Sequence, residues 1–132
     1  MIYWHFGAGS YMASFDILII GGGVAGLTAS VEAVTLGKKT AILEKLPMFG
    51  GQIANVEMIE GLEVRATGMM LVMNLMQQSM ERGVKTITGE VSTIASVDGK
   101  FLVGTPDGGY TADSVIVASG GSLRTLRVPG ED

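Results

Sequence analysis

The stretch Phe15-Asp16-Ile17-Leu18-Ile19-Ile20-Gly21-Gly22-Gly23-Val24-Ala25-Gly26-Leu27-Thr28-Ala29 decides how this chain folds. Phe15 to Ile20 is short, apolar and β-branched, the composition of a strand buried on both faces. It runs directly into three glycines. Leu27 to Leu36 then supplies small, helix-compatible residues, and Gly37 sits where a helix C-terminus favours glycine. Lys39 to Glu44 predicts a second strand. Strand, helix and strand in this order form a βαβ unit, which implies parallel strands and a right-handed crossover.

The turn between the first strand and the helix has the pattern Gly21-x-Gly23-x-x-Gly26. In such a turn the first glycine permits the sharp bend, and the second lets a pyrophosphate approach the main chain. The third lets helix and strand pack closely. Val24 and Ala25 fill the remaining positions, at a helix N-terminus whose N–H groups and dipole favour phosphate. Glu44 ends the second strand 18 residues after Gly26. A carboxylate there accepts hydrogen bonds from the ribose hydroxyls of an adenine dinucleotide, with Lys45 beside it. It also repels a 2′-phosphate, which disfavours NADP. The competing reading is a ligand-free glycine-rich turn with a solvated glutamate. Glycines and spacing together favour a dinucleotide, but they do not separate FAD from NAD.

Outward from this unit, Lys45 to Thr67 reads as a loop punctuated by Pro47, Gly50-Gly51 and Gly61. Gly68 to Arg82 predicts a second helix, closed by Gly83. Met69, Val72, Met73, Met76 and Met80 fall at helical spacing and form an apolar stripe, expected to pack as core against the sheet and not to form a partner groove. Val84 to Thr88 is a third strand. Val91–Val97, Lys100–Thr105 and Tyr110–Ala112, separated by Asp98-Gly99 and Pro106-Asp107-Gly108-Gly109, predict a three-stranded antiparallel meander. Ser114 to Ala118 is a final buried strand ending in Ser119-Gly120-Gly121. The expected class is α/β, a Rossmann-like parallel sheet plus the meander.

Composition narrows the chemistry. With 132 residues the chain suits one domain, and 47% hydrophobic against 17% charged residues marks it as globular. Nine basic against 13 acidic residues give a net charge of −4, which argues against a nucleic-acid face or a basic membrane arm. Absence of cysteine removes disulfides, thiolate metal sites and a redox dithiol, and a single histidine disfavours a metal centre or a histidine-based triad. No apolar run is long enough to span a membrane and no secretory signal is visible, so a cytoplasmic protein is expected. Residues 1–14, with Tyr3, Trp4, Phe6 and Tyr11, read as an N-terminal extension. It is either foreign to the domain, with Met12 as a second start, or an aromatic arm for a partner.

From Asp16 onward the chain resembles the FAD-binding N-terminal portion of the thioredoxin reductase-like flavoproteins, within the pyridine nucleotide-disulfide oxidoreductases. The matching pieces are the stretch from Asp16 to Ala29, Gly50-Gly51-Gln52, Thr67-Gly68 opening a helix and the meander. Ser114-Val115-Ile116-Val117-Ala118-Ser119-Gly120, followed by Leu126-Arg127-Val128-Pro129-Gly130-Glu131, completes them. The resemblance implies FAD as the cofactor. It implies that Gly51 and Gln52 lie beside the flavin, that Val91 faces the adenine, and that Ala118, Ser119 and Gly120 form a turn near the pyrophosphate.

The family's usual Val-Glu-Asn-x-Pro-Gly is here Val56-Glu57-Met58-Ile59-Glu60-Gly61, so Met58 replaces a cofactor-facing Asn and Asn55 is the nearby substitute. The family's nicotinamide domain, its Cys-x-x-Cys and its returning C-terminal segment have no counterpart in these residues. The chain is read either as a piece of a longer reductase or as a natural short protein, the first being favoured. The expected protein is therefore the first part (residues 15–132) of a flavin-dependent NAD(P)H oxidoreductase, associating as a homodimer or with the remaining enzyme domains. No catalytic residue is assigned. The alternative function is a non-catalytic FAD- or NAD-binding Rossmann module acting through self-association or a partner chain.

Overall fold

A computed structural model describes residues 11–62, 65–122 and 124–130. The elements in chain order are β1 (Tyr11–Ile20), α1 (Val24–Thr35), β2 (Thr40–Glu44), a 3₁₀ turn (Gly51–Asn55), α2 (Gly68–Glu81), β3 (Lys85–Thr88), β4 (Thr93–Val97), β5 (Lys100–Thr105) and β6 (Gly108–Val117). The strands form one six-stranded sheet in the order β3-β2-β1-β6-β5-β4. β3, β2, β1 and β6 run parallel, while β6, β5 and β4 pair antiparallel. The expected Rossmann-like α/β architecture with a meander is what the chain forms.

Two features differ from the sequence reading. Tyr110–Ala112 and Ser114–Ala118, expected as separate strands, are one ten-residue strand. Its first half pairs with β5 (Phe101↔Ala112 to Thr105↔Gly108), and Gly109 to Val117 runs beside β1 (Tyr11↔Gly109 to Ile20↔Val117). Asp113, which falls between those two expected strands, sits exposed in mid-strand and its carboxylate pairs with Lys100 Nζ from β5. A cross-strand opposite-charge pair is compatible with strand geometry, so the polar residue interrupts nothing. β1 in turn begins at Tyr11. Its first residues pair with Gly109 and Tyr110 at the start of β6, with a register irregularity between Tyr11 and Ala13. Residues 1–10, including His5 and the aromatic side chains expected there, lie outside the described residues.

Alternation along β2 (Ile42 against Ala41 and Leu43) and the end of β1 (Ile17 and Ile19 against Leu18) divides the core into two clusters. Ile19, Leu27, Ile42, Val72 and Val84 pack on the helix side, joined by Ile17, Leu75 and Met76. Phe15, Leu18, Ala41, Leu43, Val103, Tyr110 and Ala112 pack on the other. That second cluster joins Val103 of β5 to Ala41 and Leu43 of β2, three strand positions away. The sheet therefore coils, so that the meander covers the far face of the parallel strands.

The methionine stripe corrects the second expectation. Val72 and Met76 of that stripe join the core as expected, but Met69, Met73 and Met80 are exposed. The buried side of α2 is Gly68, Val72 and Ser79. The cause is the small residue pair between helices. Ser79 Oγ lies 2.8 Å from Ser30 Oγ of α1, both fully buried, and Ser30 also donates to the Leu27 carbonyl at 2.7 Å. A buried hydroxyl pair with all its bonds made holds α1 and α2 close and leaves the methionines outside. At the far end, Arg82 donates to Thr35 Oγ1 at 2.8 Å.

Candidate functional site

The chemistry gathers where β1, β2 and β6 end together. Main-chain bonds fix this corner: Gly21 N–H donates to the Leu43 carbonyl and Ala118 N–H to the Ile20 carbonyl, both at 2.8 Å. Gly21 has φ +106°, and a Cβ there would lie 2.2 Å from the Ala118 carbonyl oxygen. A side chain at Gly26 would lie 1.9 Å from the Gly21 carbonyl oxygen. Both glycines are therefore demanded by the fold itself, the first for the bend and the second for helix-to-strand contact.

Gly23 is different. Its φ of −76° and ψ of −175° are open to any residue. A Cβ there would meet no protein atom within 4 Å. Nothing among the described residues requires glycine at this position, so the open space in front of its backbone is the feature to explain. Gly23 is also the N-cap of α1, where no side chain caps the helix and no acidic residue lies in the first turn. The first-turn N–H groups thus face that space with the positive end of the helix dipole behind them.

Glu44 closes the other side. Its Oε2 accepts from Gly22 N–H at 2.7 Å and its Oε1 from Leu46 N–H at 2.9 Å. The carboxylate clips the glycine turn to the end of β2, and its remaining lone pairs are available to a ligand. The Gly50-Gly51 loop approaches from above. Gly50 N–H donates to the Gly22 carbonyl at 2.8 Å, and Gly23 and Gly50 form a parallel bridge. Phe49 packs over Gly22, whose own Cβ would strike that ring at 2.3 Å.

Two clefts flank the turn. One, of about 190 Å³, is lined by Gly21, Glu44, Lys45 and Val91 together with Ile20, Leu43, Gly89 and Glu90. The other, of about 230 Å³, is lined by Gly23, Val24, Ala25, Gly51, Gln52, Ala118 and Gly120 together with Gly50, Ile53 and Gly121. The structure therefore brings most of the sequence-expected residues onto one continuous rim. Gly26 lies behind the turn as packing, and Asn55 and Ser119 are exposed and line neither cleft. Met58 is also exposed and lines neither. Gln52 is oriented by a bond that sequence spacing could not show: its Nε2 donates to the Gly121 carbonyl at 2.8 Å, tying the 3₁₀ turn to the segment after β6.

Gly50, Gly89, Glu90 and Gly121 are wall residues that sequence reasoning did not select. Gly50 carried a usable signal, because it precedes Gly51 and adopts φ +119° to fit against Val72. Glu90 and Gly89 reach the cleft only because Gly89 N–H bonds to the Glu44 carbonyl, at 2.8 Å. Among the described residues no group of three or more histidine, aspartate or glutamate side chains is placed to hold a metal ion. No described helix is long and apolar enough to cross a membrane.

Residues 15–132 match the sequence profile of the pyridine nucleotide-disulphide oxidoreductases. The thioredoxin reductase of Treponema pallidum is 34% identical over 120 residues, covering 89% of this chain and 39% of that protein. The thioredoxin reductase of Helicobacter pylori is 33% identical, covering 88% and 39%. Among solved structures, a thioredoxin reductase from Streptococcus pyogenes superposes with a TM-score of 0.80 at 35% identity, covering 89% of this chain and 39% of that one. The Lactococcus lactis thioredoxin reductase gives 0.81 at 31% identity, covering 88% and 39%. The chain thus spans 39% of the length of these relatives.

Proposed function

We propose, since the chain belongs to the pyridine nucleotide-disulphide oxidoreductase family, that it is the FAD-holding portion of a flavin-dependent NAD(P)H oxidoreductase resembling thioredoxin reductase. The observation that carries this reading is Gly23. Its backbone is ordinary, its Cβ position is empty of protein atoms, and unpaired helix N–H groups face that emptiness. A pyrophosphate is the group that such a cradle fits.

The residues around it fit the rest of the cofactor. Glu44 accepts from the ribose hydroxyls while keeping its two main-chain bonds. Val91, on the rim of the first cleft, flanks the adenine. In the second cleft Gly51 and Gln52 approach the flavin side and Ala118 and Gly120 pass the pyrophosphate, with Ser119 between them in the same turn but outside the cleft. Asn55 stands near the flavin side where Met58 departs from the family pattern. When bound, FAD supplies two-electron transfer between a nicotinamide and an acceptor. This chain's part is to bind it and exclude water from its phosphates. With no cysteine in the chain, these residues do not themselves supply a redox dithiol.

The same reading assigns residues 15–132 to the FAD-binding portion and makes the protein cytoplasmic and homodimeric. The test is the purified protein itself. Flavin absorbance near one equivalent per chain, or saturable uptake of added FAD in preference to NAD, is the expected result. Colourless protein that takes up neither would overturn the proposal.

A further inference from the structure

Four of the chain's nine methionines, Met70, Met73, Met76 and Met80, line one shallow groove of about 730 Å³ along α2. Met73 and Met80 are 64% and 63% exposed, and Met76 reaches the groove from the edge of the core. Met73 and Met76 are three residues apart and Met76 and Met80 four, spacings at which Cβ atoms lie about 5–6 Å from each other on one helix face. With 3.6 residues per turn, the three fall within an arc of about 60°. An unbranched side chain with three rotatable bonds gives each sulfur the freedom to turn toward a common point above Met76.

Charge at this groove favours a cation. No lysine or arginine lines it. Its far end lies at the C-terminus of α2, the negative pole of the helix dipole, and the last turn holds no basic residue. Glu81 adds a carboxylate there, where one is disfavoured unless a positive charge stands beside it, and Gln77 Nε2 fixes it with a bond of 2.8 Å. The cap residue Arg82 does not supply that charge to the groove, because its Nη1 donates to Thr35 Oγ1 of α1 at 2.8 Å. Thioether sulfur is a soft, uncharged donor that selects ions such as Cu(I), whereas Mg²⁺ and Ca²⁺ prefer oxygen.

We propose that Met73, Met76 and Met80 form a thioether site for a soft monovalent metal ion of the Cu(I) class. Glu81 and the C-terminal pole of α2 supply the balancing negative charge. The site is separate from the cofactor cleft and does not rest on the FAD reading.

The chain suits a direct test, because it has no cysteine and one histidine, His5. In the His5→Ala background thioethers are the only soft side-chain donors. Ag(I), a redox-inert counterpart of Cu(I), is titrated into the full chain in chloride-free buffer and followed by calorimetry and by the methionine methyl signals in NMR. Saturation at one equivalent is expected, with the largest shifts at Met73, Met76 and Met80 and no competition from excess Mg²⁺.

Met73→Leu/Met80→Leu keeps the apolar volume, so melting temperature and FAD affinity are expected to match the parent while Ag(I) affinity falls roughly tenfold or more. Glu81→Gln retains an acceptor for Gln77 and is expected to weaken Ag(I) binding roughly two- to fivefold. No saturable uptake, shifts spread evenly over all the methionines, or a folded leucine variant that binds Ag(I) as tightly as the parent would overturn the proposal. None of these outcomes touches FAD binding.

Discussion

Replacing Gly23 and Gly26 separately by alanine isolates a ligand requirement from a folding requirement within one six-residue turn. At Gly23 the added methyl meets no protein atom within 4 Å, and the backbone already has a conformation alanine adopts. Alanine is a poorer N-cap than glycine, but it also restricts the unfolded chain by about 0.4–1 kcal/mol, so the two effects nearly cancel. Stability should change by less than about 1 kcal/mol. The methyl nonetheless stands where the pyrophosphate would approach. Losing one charge-assisted bond to a main-chain N–H costs about 1.5–3 kcal/mol, which weakens FAD binding by roughly 10- to 150-fold.

At Gly26 the methyl would sit 1.9 Å from the Gly21 carbonyl oxygen, a backbone atom held by β1, so α1 must move away from the sheet. Overpacking of this kind costs about 1–3 kcal/mol or more. Thermal melts by circular dichroism and FAD titrations by fluorescence separate the two variants. A Gly23→Ala protein that binds FAD as tightly as the parent, or melts as early as Gly26→Ala, would refute the reasoning.

Three further outcomes follow from the same geometry. Glu44→Ala removes the acceptor for the Gly22 and Leu46 N–H groups, so a stability loss of about 1–3 kcal/mol by denaturant titration should accompany weaker nucleotide binding; loss of binding at unchanged stability would show that the clip contributes nothing. Ser79→Ala strands the buried Ser30 hydroxyl with only its Leu27 partner, and a cost of about 1 kcal/mol is expected in the melting curve, with FAD affinity retained. Lys100→Ala breaks a pair whose side chains are 57% and 54% exposed, so stability should move by less than about 1 kcal/mol; a larger drop would mean that the pair fixes the β5–β6 register.

The βαβ corner was legible because its signals are local. An apolar run, three glycines at fixed spacing and a strand-end carboxylate each state their role within a few residues, and the structure brings Gly21, Gly23 and Glu44 to one place. What the sequence could not show depends on tertiary partners. Asp113 falls between two expected strands until Lys100 is known to lie across from it. The period of the α2 stripe shows that one face differs from the other, but not which face turns inward. The small residues decide that, because Ser79 meets Ser30, and this partner is 49 residues away in sequence. Gln52 was selected for its neighbourhood, yet its amide direction is set by the Gly121 carbonyl, 69 residues on. Glu90 follows Gly89, whose N–H bonds to Glu44's own carbonyl at the cleft, a pairing no pattern encodes.

The central claim is that the space in front of Gly23 is the pyrophosphate seat of a bound FAD. Backbone amide shifts recorded by NMR during an FAD titration test it residue by residue. The account predicts the largest changes at Gly22, Gly23, Val24 and Ala25, with smaller ones at Leu46 beside the Glu44 carboxylate and at Val91, all saturating at one equivalent. Shifts confined to other parts of the chain, or none at all with the protein folded, would contradict it.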